Sequence, residues 1–91
     1  MKIILNEIEY EVVKNYRDGF NEEAVKERTT DYFKDFDYIF GDWAYGKLRL
    51  KGFYKRDNRQ KVRSINNIEN LEKHIKENCA YDCRYFLLEK K

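Results

Sequence analysis

The spacing of apolar residues switches repeatedly along this 91-residue chain, and the switching leaves few folds open to it. Residues 8–13 (IEYEVV) alternate, with Ile8, Tyr10 and Val12 on one side and Glu9 and Glu11 on the other. A period of two marks a half-buried strand. Residues 2–5 (KIIL) form a short strand before it, and Asn6-Glu7 makes a tight hairpin without the usual glycine. The period then lengthens. Asp18-Gly19 marks a turn, and Asn21 is a helix N-cap followed by acids at Glu22 and Glu23, where the helix dipole favours them. Phe20 and Val25 stand at the two positions of a hydrophobic staple. Val25, Tyr32, Phe33 and Phe36 continue a helical face, which predicts a helix over about 21–35.

Strands return at 38–43 (YIFGDW) and 47–54 (KLRLKGFY), joined through Ala44-Tyr45-Gly46. In the second of these, Leu48 and Leu50 face the core while Lys47, Arg49 and Lys51 face away. Residues 55–63 are polar and basic and read as an exposed loop. Ile65, Ile68, Leu71 and Ile75 recur at helical spacing, so a second helix is expected over about 66–77, opened by Asn66 with Glu69 three residues on. Residues 84–88 (RYFLL) carry an unbroken apolar run, the mark of a strand covered on both faces at the centre of a sheet. The order is β-β-α-β-β-α-β. It makes a single α+β domain over residues 1–91, with two helices packed on a mostly antiparallel sheet.

Composition agrees. Eight Tyr, six Phe and one Trp supply a core for one domain, and proline is absent. No apolar run approaches the ~18 residues that a membrane helix needs. The start, MKIILNEIEYE, is too short and too interrupted for a signal segment. A cytoplasmic location, no membrane contact and reduced cysteines are therefore expected.

Charge is the uneven property. Residues 1–46 carry 6 Lys/Arg against 11 Asp/Glu, a net of −5. Residues 47–63 carry Lys47, Arg49, Lys51, Lys55, Arg56, Arg59, Lys61 and Arg63 against Asp57 alone, a net of +7. The remaining 28 residues balance. Lysines and arginines on alternate strand positions stand about 7 Å apart, near the phosphate repeat of a single nucleic-acid strand. Trp43, Tyr45 and Tyr54 lie beside them in sequence as candidate base-stacking rings. The expected partner is RNA or a ribonucleoprotein such as the ribosome, with an acidic protein as the alternative. The plain alternative is a solvated strand face paired with the acids of residues 1–46, and the pI near 8.5 is modest for a nucleic-acid binder.

Other motifs are weaker. Asp42, in Gly41-Asp42-Trp43, reads as a hydrogen-bond anchor for the turn before it reads as a general base. Trp43 itself also reads as a core or rim residue with its indole N–H satisfied. Cys79 and Cys83 follow His74 at a spacing foreign to common zinc sites, and a fourth ligand such as Asp82 would be required. Two buried thiols are the simpler reading, with a redox role behind it. His74, the sole histidine, lies off the Ile/Leu stripe and is expected to face solvent. No P-loop, G-x-G-x-x-G, H-E-x-x-H or G-x-S-x-G occurs, no cofactor is implied, and the balance leans away from an enzyme.

The run Gly41-Asp42-Trp43-Ala44-Tyr45-Gly46-Lys47-Leu48-Arg49-Leu50-Lys51-Gly52-Phe53 resembles the signature of the YutD-like family of low-GC Gram-positive bacteria. Arg17-Asp18-Gly19-Phe20-Asn21, and Cys79-Ala80-Tyr81-Asp82-Cys83 with Tyr85-Phe86, resemble its flanking pieces. The resemblance spans nearly the whole chain except about 57–63. It implies a bacterial cytoplasmic domain and implies no activity.

Overall fold

The computed structural model describes residues 1–58, 66–78 and 83–91. Strands β1 (Lys2–Leu5) and β2 (Ile8–Tyr16) form the first hairpin, and β3 (Tyr38–Ala44) and β4 (Lys47–Phe53) form the second. Helix α1 (Glu22–Arg28) lies between the hairpins, and helix α2 (Leu71–Asn78) precedes the last strand, β5 (Tyr85–Lys90). The strands form one antiparallel sheet in the order β1-β2-β5-β3-β4. The chain's last strand thus lies at its centre, with Phe86, Leu87 and Leu88 all buried. The unbroken apolar run had this cause: each face of β5 is covered.

Both hairpins close through left-handed residues. Asn6 and Glu7 have φ of 50° and 69°, and Tyr45 and Gly46 have 54° and 75°. Two positive φ values in a two-residue loop match the right-handed twist of the flanking strands. Asn6, Glu7 and Tyr45 adopt them without glycine's freedom, a mild local strain.

The first helix is shorter than expected. Asn21 caps it as the sequence indicates, its side chain accepting from the Ala24 N–H at 3.0 Å. It ends at Arg28, where Thr29 turns extended and both its N–H and its hydroxyl donate to the Val25 carbonyl, at 2.9 and 2.6 Å. Two adjacent β-branched threonines hold the helix poorly. A 3₁₀ turn over Asp31–Asp35 follows, and it buries Phe33 but leaves Tyr32 exposed. The second helix starts later than expected. Asn67, not Asn66, is the cap, accepting from the Glu69 N–H at 3.0 Å at the head of a 3₁₀ turn, Ile68–Asn70, that leads into α2.

The two helices cover opposite faces. Val25 of α1 packs with Phe33, Phe36, Ile39, Leu48, Phe86 and Leu88, and with Ile3, Leu5 and Tyr10 from the first hairpin. Leu71 and Ile75 of α2 pack with Phe40, Phe53 and Leu87 on the other side. Alternation along β3 explains the split: Ile39, Gly41 and Trp43 point to α1, while Phe40 and Asp42 point to α2. Gly41 has no side chain because a Cβ there would fall inside the Phe86 ring.

Candidate basic face and cleft

Register decides where the charges stand. Lys47, Arg49 and Lys51 pair with Ala44, Asp42 and Phe40, so all three lie on the α2 face of the edge strand β4. Lys47 and Arg49 are exposed and Lys51 is half-buried. The leucines between them, Leu48 and Leu50, pack on the α1 side. The row read from the sequence therefore exists as one face.

Its centre carries an ion pair. Asp42 is 3% exposed, and its carboxylate accepts two bonds from Arg49, from Nε at 3.0 Å and from Nη2 at 2.6 Å. A bidentate guanidinium–carboxylate pair fixes both groups in a plane. Asp42 lies inside β3 and anchors Arg49 across the strands, where the sequence reading had placed it as an anchor of the turn. The turn itself is Tyr45-Gly46, and the Tyr45 ring stands fully exposed at its tip.

The candidate stacking rings separate. Trp43 points to the α1 face, where its indole N–H donates to the Gly19 carbonyl at 2.6 Å and Arg84 lies 4.7 Å from its ring. Tyr54 packs on the same apolar cluster, 4.7 Å from Phe36 ring to ring. Tyr45 alone of the three stands at the end of the basic row.

Beyond β4 the chain is tied to the base of α2. Tyr54 pairs with Asn67 in a parallel bridge. The buried Asn67 amide donates to the carbonyls of Lys55 and Arg56 at 3.1 and 3.2 Å, and the Lys55 N–H donates to Asp37 at 2.9 Å. Lys55 and Arg56 are exposed and continue the basic edge from fixed backbone positions. Arg59, Lys61 and Arg63 lie outside the described residues. Asn67 was missed as a positioning residue, because a buried amide leaves no linear mark.

His74 departs from the expectation of a solvent-facing ring. It is half-buried, edge-on to Phe40 at 5.6 Å and to Phe53 at 5.8 Å. Burial, followed by the nearby Lys51 ammonium, holds its pKa below the usual histidine value. Phe40, Asp42, Arg49, Leu50, Lys51 and His74 line a cleft of about 220 Å³ between β4 and α2. The Lys51 ammonium lies 5.9 Å from the Phe53 ring, on the wall that also holds His74.

Among the described residues no group of three or more His, Cys, Asp or Glu is arranged to hold a metal ion. Cys83 is a half-buried free thiol, while Cys79 and Asp82 lie outside the described residues. Among the described residues no helix is long and apolar enough to cross a membrane.

Comparisons with known proteins agree with this fold. Residues 4–89 match the family model described as "YutD-like: Putative antitoxin YutD-like". A Bacillus subtilis (strain 168) protein named "Putative antitoxin YutD" is 47% identical over 88 residues, covering 97% of this chain and 96% of that one. The solution NMR structure of protein yutD from B. subtilis superposes with a TM-score of 0.83 at 45% identity, covering 100% of this chain and 82% of the other.

Proposed function

The chain belongs to the YutD-like family, and from the geometry of its basic face we propose that it is a binding protein that docks on an acidic surface of a protein partner. The contacts run along Lys47, Arg49 and Lys51 to Lys55 and Arg56, with Tyr45 at the leading tip. Arg59, Lys61 and Arg63 extend the basic segment in sequence.

The observation that carries this reading is the separation of the aromatics from the cations. A base-stacking groove needs rings on the charged face, and Trp43 and Tyr54 serve the opposite one. What remains is an exposed tyrosine beside a guanidinium already fixed by Asp42. Tyrosine and arginine dominate protein–protein hot spots, and a guanidinium held in place by Asp42 loses little entropy on docking. The name of the B. subtilis relative, "Putative antitoxin YutD", supports a protein partner as well. A second reading, RNA or a ribonucleoprotein as the polyanion, draws on the row itself, three cations about 7 Å apart on one strand. Among the described residues no observation favours a metal role for Cys83 or His74.

The test is a photo-crosslinking residue at Tyr45 in the native cells, with Tyr32 as the control position on the α1 side. A protein adduct of one defined mass at Tyr45, absent at Tyr32, is the expected result. Nuclease-sensitive adducts would transfer the assignment to RNA. Equal labelling from both positions would refute the basic face as the docking surface.

A further inference from the structure

The geometry points to the β4–α2 cleft as an oxyanion site, in which Lys51 and Arg49 receive one small phosphate- or carboxylate-type group and His74 takes up a proton as the anion enters. The cleft holds about 220 Å³, below the ~300–1,000 Å³ of sites that enclose drug-sized ligands. Its volume suits a single ionic group.

The lining sets the sign of the occupant. Lys51 and Arg49 come from adjacent same-face positions of β4, and His74 faces them from α2. Asp42, the one acid among the described lining residues, accepts from Arg49 through both oxygens, and Lys51 and a protonatable imidazole stand beside that pair. Phe40 supplies an apolar wall that lowers the dielectric around an entering anion and strengthens its attraction to cations.

His74 gives the site its pH dependence. Lys51 and Arg49 oppose its protonation, whereas Asp42 from β3 and Glu77 from α2 favour it. Burial between the Phe40 and Phe53 rings opposes it further. An anion seated against Lys51 offsets the ammonium charge that opposes protonation of His74. The imidazole then ionises at a higher pH and adds a charge-assisted hydrogen bond to the ligand. Binding is accordingly tighter in acid. The site shares Arg49 and Lys51 with the docking face but does not need a protein partner, so small ions can bind even if docking fails.

His74 is the sole histidine, so one ring C–H resonance reports the cleft. The probes are sulfate, a dianion throughout the range used, and acetate, each titrated at fixed ionic strength against chloride. The expected result is a saturable His74 shift with sulfate, about tenfold tighter near pH 5.5 than near pH 8, as one charge-assisted hydrogen bond provides. Lys51→Ala abolishes saturation. His74→Phe, followed through the Lys51 amide, keeps weak binding and loses its pH dependence. Saturation by acetate as well identifies the occupant as a carboxylate, the side chain of an acidic protein, and sulfate alone identifies a phosphate-class ion. Shifts that merely track ionic strength, or an unchanged midpoint in Lys51→Ala, overturn the site.

Discussion

The two faces of one sheet differ in what their side chains do. On the α1 face, Ile39, Trp43, Leu48, Leu50, Phe86 and Leu88 form an apolar cluster whose polar atoms are turned to the backbone, as with the Trp43 indole on Gly19. On the α2 face the apolar cluster among the described residues is smaller, Phe40, Phe53, Leu71 and Leu87, and it borders a buried carboxylate, two cations and an imidazole. Hydrophobic burial stabilises in proportion to area, so among the described residues the α1 face supplies more of the folding free energy. The α2 face keeps charges that a core would exclude, and it does so where the edge strand meets solvent. Lysines on an edge strand also discourage indiscriminate strand pairing, so part of the row has a structural use.

The contrast yields graded outcomes. Phe86→Ala, at 0% exposure on the α1 face, should cost about 3–5 kcal/mol in denaturant melts, and Phe33→Ala should approach that figure. A loss under about 1 kcal/mol at either site would remove the asymmetry. Asn67→Ala should cost about 1–3 kcal/mol, since it strips the cap from Glu69 and the donors from the carbonyls of Lys55 and Arg56. A neutral result would show that Lys55 and Arg56 are not held by α2.

A smaller effect is expected from pH. The folded pKa of His74 is depressed, so between that value and the ordinary ~6.5 the unfolded chain binds the proton and the folded chain does not. Stability therefore falls as pH falls through this window and is unaffected by His74 above about pH 7.5. His74→Phe, which suits the Phe40 and Phe53 surroundings, should flatten that decline in melts across the range. A decline of the same size in the variant would mean that other groups cause it.

Much of this architecture was legible in the sequence. Period-two alternation marked β2 and β4, and the unbroken run at Phe86–Leu88 marked a last strand covered on both faces, while the order of strands in the sheet was set only by the structure. Asn21 declared its cap because capping is local. What stayed hidden depended on partners distant in sequence. The halt of α1 at Thr29 reflects a local conflict within an amphipathic pattern that itself continues to Phe36. His74 follows Leu71 by three residues and so shares its side of α2, a spacing the expectation of a solvent-facing ring overlooked, and Phe40 of the sheet meets it there. The direction of Trp43 was fixed only by the register of β3 on β5, which no single strand carries. The basic row was visible, whereas its partner Asp42 became apparent only when Arg49 was seen opposite it.

The smallest expected stability change accompanies the largest expected functional one, in Lys47→Glu/Lys51→Glu. Arg49 is left in place, because reversing it would set a carboxylate against the buried Asp42. Stability of the double variant should stay within about 1 kcal/mol of the parent, as surface substitutions do. The Tyr45 crosslink should vanish. A collapsed melt would make the row part of the core's support, and a surviving crosslink at unchanged stability would contradict the assignment of the β4 face as the binding surface.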